Sequence, residues 1–227
     1  MIRSLLFAGL LLWPFAVQDP EDSLHVLPAQ ATTALATSLT AAAWHPHHVW
    51  RDTASLNDDK TVNAYIEIAR GDRRKWEFDM RANARAIDRM IPIDIGGYPV
   101  NYGFVPQTIS YDGDPFDALV LGPALPAGRF MRGVIVGVMF MEDEKGLDSK
   151  VVLSRTSRDG HPLHKLTAAV RRVIGDYFRR YKKHEPGAFS RVAGWGSAAE
   201  GLAHVTTTHA FFRDCRQRAG APCQIGR

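Results

Sequence analysis

Cysteine is nearly absent from this chain. The 227 residues contain two, Cys215 and Cys223, too few for a disulfide-dense scaffold. No G-x-x-x-x-G-K-[S/T], no G-x-G-x-x-G after a strand, no H-E-x-x-H and no C-x-x-C occurs, which removes the common nucleotide and zinc readings. No G-x-S-x-G supports a serine nucleophile on a strained turn. Glycine (19) and proline (13) sit at ordinary levels beside 45% hydrophobic and 23% charged residues. That balance excludes collagen-like, coiled-coil and fully disordered chains and leaves room for one globular domain or two small ones.

Charge is unevenly placed. Residues 1–150 carry 14 Lys/Arg against 19 Asp/Glu, and residues 151–227 carry 14 against 5, within a net charge of +4. The basic second part suits an anionic partner such as phosphate or nucleic acid, whereas the acidic first part argues against simple polyanion binding.

At the start, Arg3 precedes an uncharged apolar run, Leu5–Val17. This is the n-region and h-region of a secretory signal, and 13 residues are short for a bilayer span. We read 1–18 as the signal, with cleavage as late as residue 31 at Ala29-Gln30-Ala31, and an uncleaved anchor as the alternative. No Cys follows the run, so a lipid-anchored form is unsupported. Residues 19–58 read as a linker or N-terminal extension, in which His45, His47 and His48 belong to a solvated tail rather than a metal site. A folded domain over 59–218 and a tail over 219–227 complete the division. In an exported chain Cys215 and Cys223 can pair, and two unpaired thiols are the alternative.

From Val62 to Leu153 the pattern is strand-like, with apolar runs at Ala118–Leu121 and Val134–Met141 and Gly or Pro between the runs. No helical segments separate these runs, so a small β-barrel or sandwich is expected rather than a parallel α/β sheet. After Pro162, Leu163, Leu166, Val170, Val173, Ile174, Tyr177, Phe178 and Tyr181 recur at spacings of three and four, predicting one amphipathic helix. Ser197 and Glu200 form an S-x-x-E capping box that opens a second helix through Leu202, Val205 and Phe212. The domain is therefore α+β.

The most informative stretch is Tyr111-Asp112-Gly113-Asp114-Pro115-Phe116-Asp117, a Gly/Pro turn that feeds the apolar run Ala118–Leu121. Two carboxylates about 5 Å apart repel by roughly 3 kcal/mol at an effective dielectric near 20, so three in six residues need a cation, a shared proton or solvent. A second acidic group, Glu142, Asp143, Glu144 and Asp148, ends the next long run, with Lys150 two residues on. All-oxygen donors select hard cations, Mg²⁺ or Mn²⁺. An EF-hand fits poorly, because counting from Asp112 its Gly and Glu positions are Asp117 and Pro123. Lys75, Arg89, Lys150 and Lys182, with Tyr102 and Tyr181, supply a clamp for an anionic substrate. An acidic metal cradle beside a basic clamp is the constellation for metal-assisted phosphoryl transfer.

At these residues the chain resembles the soluble family I inorganic pyrophosphatases. The matching segments run in order from Tyr65 to Trp195: Ile66-Glu67-Ile68, Lys75-Trp76-Glu77, Asp88-Arg89, Tyr98–Gly103, Asp112–Asp117, Asp143–Lys150, Tyr181-Lys182 and Gly194-Trp195. The resemblance implies a five-stranded OB-like β-barrel with flanking C-terminal helices, and hydrolysis of pyrophosphate to two phosphates with Mg²⁺, Mn²⁺ being a substitute. It implies that Asp112, Asp117, Asp143 and Asp148 are the main metal ligands, with Glu67 and Glu77 at outer metal sites. Asp114 is then the general base toward a metal-activated water, and Lys75, Arg89, Tyr102, Lys150, Tyr181 and Lys182 hold phosphate oxygens. The partners expected are pyrophosphate and further copies of the chain, with no nucleic acid and no stable membrane association after signal cleavage. The signal-like start departs from the family and places the enzyme in the periplasm or outside the cell, with the cytoplasm as the alternative.

Two other readings compete. A Mg²⁺-dependent hydrolase of polyphosphate or nucleotides uses the same cradle, although no base-reading pocket is evident. A non-catalytic OB-like module would bind nucleic acid through Arg171–Lys183 and strand aromatics such as Tyr65, Trp76 and Phe116, but this gives no reason to crowd the carboxylates.

Overall fold

The computed structural model describes residues 47–79 and 82–218. The apolar run Leu5–Val17, the Ala29–Ala31 site, His45 and Cys223 lie outside the described residues. The elements are α1 (Val49–Asp52), β1 (Val62–Ile68), β2 (Arg74–Asp79), β3 (Ala84–Met90), β4 (Asn101–Phe104), β5 (Asp117–Leu121), β6 (Arg129–Asp143), β7 (Gly146–Leu147), β8 (Lys150–Ser154), α2 (Ala168–Phe178), β9 (Ser190–Gly196) and α3 (Ala198–Arg218).

Five strands close on themselves in the order β1-β4-β5-β8-β6, with β6 returning to pair β1. β5 and β8 run parallel and the other barrel pairs are antiparallel. This is the OB-like barrel with C-terminal helices that the resemblance implies. β6 makes closure possible through its length: Arg129–Gly133 pairs β1, Val134–Met139 pairs β8, and Val138–Asp143 pairs β9. At Gly103 of β4 the opposite strand approaches so closely that a Cβ would lie 1.8 Å from the Tyr65 carbonyl oxygen. β2 and β3 form a separate two-stranded sheet.

Period-two alternation distributes the apolar side chains to two layers. Ala118 and Val120 join Val62, Ala64, Ile66, Val151 and Leu153 in one cluster, where Val205 of α3 packs. Leu119 and Leu121 join Met139, Met141 and Val152 in another, covered by Ile174, Tyr177 and Phe178 of α2. Each helix thus seals one layer.

Two expectations need correction. The helix predicted from Leu163 to Tyr181 is confined to Ala168–Phe178 and is capped by Thr167, whose Oγ1 accepts from the Val170 N–H at 3.3 Å. Residues before it are held in another way: Pro162 bridges Thr156, Leu163 N–H donates to the Arg155 carbonyl, and His164 N–H donates to Ser154 Oγ. Leu163 and Val173, counted on the apolar stripe, are 51% and 58% exposed. His48 is not part of a solvated tail. It is buried, its Nδ1 accepts from the Trp50 and Arg51 N–H groups, and Trp50 packs edge-on to Phe212 while donating Nε1–H to the Thr108 carbonyl. The capping box at α3 is present: Ser197 N–H donates to Glu200 Oε2 at 2.6 Å and Glu200 N–H to Ser197 Oγ at 3.2 Å.

Candidate active site

Local chemistry shapes the Asp112–Asp117 turn. Gly113 adopts φ +90°, a region open to glycine, and its N–H donates to the Ser110 carbonyl. Asp112 Oδ1 accepts from the Asp114 N–H at 3.1 Å, an Asx turn. Phe116 anchors the far side: it is buried, and its N–H donates to the buried Thr108 Oγ1. The turn is thereby fixed to the core on one side while its carboxylates face outward.

The second acidic group is placed by the β6–β7 hairpin. Asp143 pairs with Gly146, whose φ of +119° makes the reversal, and Asp148 N–H donates to the Met141 carbonyl, so Asp143 and Asp148 return to one end of the barrel. Glu142, on the alternate face, leaves the site and pairs with Arg191 of β9 at 2.6 Å.

Two bulges bring in the remaining residues. β1 shifts register between Ile66 and Ile68 opposite β4, leaving Glu67 as the extra residue. In β2–β3, Lys75 faces Arg89 and Trp76 faces Ile87, leaving Asp88 as the extra residue. Bulges re-aim side chains in this manner.

These elements enclose a cavity of about 810 Å³. Its lining contains Glu67, Lys75, Glu77, Arg89, Tyr102, Asp112, Asp114, Asp117, Asp143, Asp148, Tyr181 and Lys182, which is every site residue expected from the sequence except Lys150. Lys150 lies behind the wall, 1% exposed, and its Nζ donates to Asp117 Oδ2 at 2.5 Å and Asp148 Oδ1 at 2.8 Å. Tyr102 Oη donates to the same Asp117 oxygen at 2.5 Å. Lys182 Nζ donates to Asp143 Oδ2 at 2.7 Å and Glu144 Oε1 at 2.6 Å. On the rim, Lys75 pairs with Glu77 and with Asp88, and Arg89 bridges Asp88 at 2.8 Å and Glu185 at 2.5 Å.

The electrostatics follow from this crowding. Burial, then Asp114 and Asp117, push the Asp112 carboxyl up to about 7. Burial raises Asp148 well above the carboxylate range against the pull of Lys150, and Asp117 and Asp112 add to the rise. Burial and then Asp117 and Glu77 raise Glu67 likewise. Asp114 is also raised by burial, against Lys145; its side chain is nevertheless 59% exposed, so its oxygens are open to the cavity. Asp117 and Asp148 place the Lys150 ammonium well above its ordinary value despite burial.

Among the described residues no three carboxylates, histidines or cysteines meet closely enough to form a ready metal cage. The donor set nevertheless fits a hard divalent cation: only oxygens line the acidic wall, and Asp112, Asp114 and Asp117 crowd one another there. Lysine ammoniums hold part of that role, Lys150 between Asp117 and Asp148 and Lys182 between Asp143 and Glu144.

Sequence reasoning left several lining residues without a role. Asp88, Glu144 and Lys145 stand inside the matched segments, so their positions were available. Glu185 is 96 residues from its partner Arg89 and carries no local signal.

The inorganic pyrophosphatase family model matches residues 64–213. An inorganic pyrophosphatase of Saccharolobus solfataricus is 37% identical over 146 residues, which cover 61% of this chain and 84% of the relative. One from Rickettsia felis is 37% identical over 161 residues, 67% of this chain and 91% of the relative. The crystal structure of inorganic pyrophosphatase from Thermus thermophilus superposes with a TM-score of 0.67 at 30% identity, covering 74% of this chain and 99% of that one.

Proposed function

The chain belongs to the inorganic pyrophosphatase family, and from that premise we propose that it hydrolyses inorganic pyrophosphate to two phosphates, with Mg²⁺ as its cation and water as the nucleophile. The observation that carries the proposal is one cavity whose lining joins the carboxylates Asp112, Asp117, Asp143 and Asp148 with Lys75, Arg89, Tyr181 and Lys182. Those four carboxylates would hold the cation, with Glu67 and Glu77 at outer positions and Mn²⁺ as a substitute. A divalent cation held there would make water more acidic and offset charge on phosphate oxygens.

The chain's own residues divide the remaining work. Asp114, exposed to the cavity and set by the Asx turn, takes the proton from the attacking water. Arg89 presents a planar fork suited to two phosphate oxygens, and Lys75 and Lys182 present point charges. Lys182 reaches phosphate by exchanging carboxylate partners for phosphate oxygens, and Tyr102 and Tyr181 donate hydroxyl hydrogen bonds to the same anion, while Lys150 acts from behind the wall, its charge shared between Asp117 and Asp148. Cations at the departing phosphate stabilise its developing charge.

The test is phosphate release from pyrophosphate with Mg²⁺ and with chelator, beside ATP and tripolyphosphate at equal concentration. Metal-dependent release largely restricted to pyrophosphate is expected. Comparable release from the longer anions would favour the polyphosphate or nucleotide reading, and absence of release would leave the binding-module reading.

Export and self-association complete the proposal. Arg3 followed by Leu5–Val17 supports export, and a full-length chain in the soluble cytosol would contradict it. Ile87, Met90 and Ile93, all at least half exposed, support contact with further copies; a monomer by light scattering would oppose it.

A further inference from the structure

We infer that Lys145 is an additional substrate-binding residue, which captures a phosphate group beside Asp114 in the cavity. The inference rests on the pyrophosphate reading above and adds a residue to which that reading gives no role.

Lys145 occupies the β6–β7 turn, where its own N–H donates to Asp143 Oδ1 at 2.8 Å and the following Gly146 reverses the chain. The turn thus fixes the Cα while the side chain extends into the cavity lining. Its ammonium lies 3.8 Å from Asp114 Oδ2, beyond hydrogen-bond length, and the side chain is 62% exposed.

Comparison with the other cations singles it out. Lys75, Arg89, Lys150 and Lys182 each hold two carboxylates, at least one of them at 3.0 Å or less. Lys145 has one loose, solvated partner. A pair of that type contributes little, so releasing it to an incoming anion costs little, whereas drawing Lys150 off two buried carboxylates costs far more. Lys145 is therefore the cavity cation most readily released to an incoming anion.

The experiment compares Lys145→Met and Lys145→Arg with the unaltered full chain, measuring steady-state pyrophosphate hydrolysis across Mg²⁺ concentrations and, separately, calorimetric binding of inorganic phosphate. Loss of one solvated charge-assisted contact should raise KM for pyrophosphate roughly three- to tenfold with kcat within about twofold, and weaken phosphate binding by a similar factor. Arg should restore most of both. Because the side chain is exposed, the Met variant should unfold at the same temperature. Unchanged KM and phosphate affinity in a Met variant of an active enzyme would overturn the inference, as would an effect confined to the Mg²⁺ concentration required. If the unaltered chain binds phosphate but releases none from pyrophosphate, the hydrolase reading fails while weakened phosphate binding in the Met variant still supports Lys145 as an anion ligand.

Discussion

On the wall of the cavity, Lys150 is almost fully buried and its ammonium is shared between Asp117 and Asp148; on the rim, Arg89 and Lys75 share Asp88 while remaining partly open to water. Both regions balance charge with charge, but at different cost. Buried ions lose solvation worth several kcal/mol each, which the wall offsets with short hydrogen bonds from Lys150 and Tyr102. Rim pairs gain at most about 1 kcal/mol and are readily exchanged. The wall is a prepared charge arrangement built into barrel strands β5 and β8, and the rim is a set of replaceable partners mounted on a separate hairpin and the loop after α2. A site that must take up and release an anion benefits from having both.

The largest expected effect tests the turn beside the wall. Asp114→Asn removes the proposed base without removing a buried partner, so kcat should fall on the order of 10²- to 10⁴-fold while the unfolding midpoint holds or rises, one like charge having gone. Steady-state rates at saturating Mg²⁺ with urea unfolding check both, and unchanged turnover would take Asp114 out of the base role. Next, Lys150→Met should lower stability by about 3–5 kcal/mol, because Asp117 and Asp148 stay buried without their cation. Urea titrations with chelator measure this loss, and saturating Mg²⁺ should recover part of it. A loss below 1 kcal/mol would mean the wall is as exchangeable as the rim.

pH sharpens the same contrast. Asp112, Asp148 and Glu67 have raised proton affinities in the folded chain, so between about pH 4 and pH 7 the folded state binds more protons than the unfolded one. Stability then falls as pH rises through that window, in contrast to a salt-bridged carboxylate, which gains. With chelator, the protein should lose on the order of 2 kcal/mol between pH 5 and pH 8. Mg²⁺ requires ionised carboxylates, so its stabilisation should grow over the same interval and flatten or reverse the slope. Thermal unfolding at the two pH values, with and without Mg²⁺, reads this directly.

What was legible in the sequence follows the same division. The wall was readable because its residues are local: the Gly/Pro turn at Asp112–Asp117 leads straight into the alternating strand, and Asp148 and Lys150, two apart, fall on one side of the chain. Helix α2 was overextended because Leu163 and Leu166 keep helical spacing although backbone pairing at Thr156 and Pro162 already uses that segment. The burial of His48 depends on Trp50 meeting Phe212 across 162 positions, and no local pattern carries such a contact. The rim was partly readable: Lys75, Asp88 and Arg89 stand in matched segments, although the bulge in β3 that turns Asp88 toward both cations carries no local signal, and Glu185 arrives from beyond α2. Periodicity and turn chemistry therefore identify the elements, while the ion pairs that tune the site come from chain segments brought together by closure of the barrel.

The smallest effect belongs to Glu185→Gln. Arg89 keeps Asp88 at 2.8 Å when the Glu185 contact at 2.5 Å is weakened, and each of these side chains is about one-third exposed, so water replaces what is lost. Stability should change by less than about 1 kcal/mol. The guanidinium is then less tightly held by carboxylate, so KM for pyrophosphate should hold or fall by up to about twofold, with kcat unchanged. A severalfold rise in KM would show that Glu185 aims Arg89 rather than merely occupying it, and the rim would then be as prepared as the wall. The difference between the two regions thus reduces to one measurable sign: removing a carboxylate partner from a rim cation leaves binding equal or tighter, whereas removing the cation from the wall destabilises the fold.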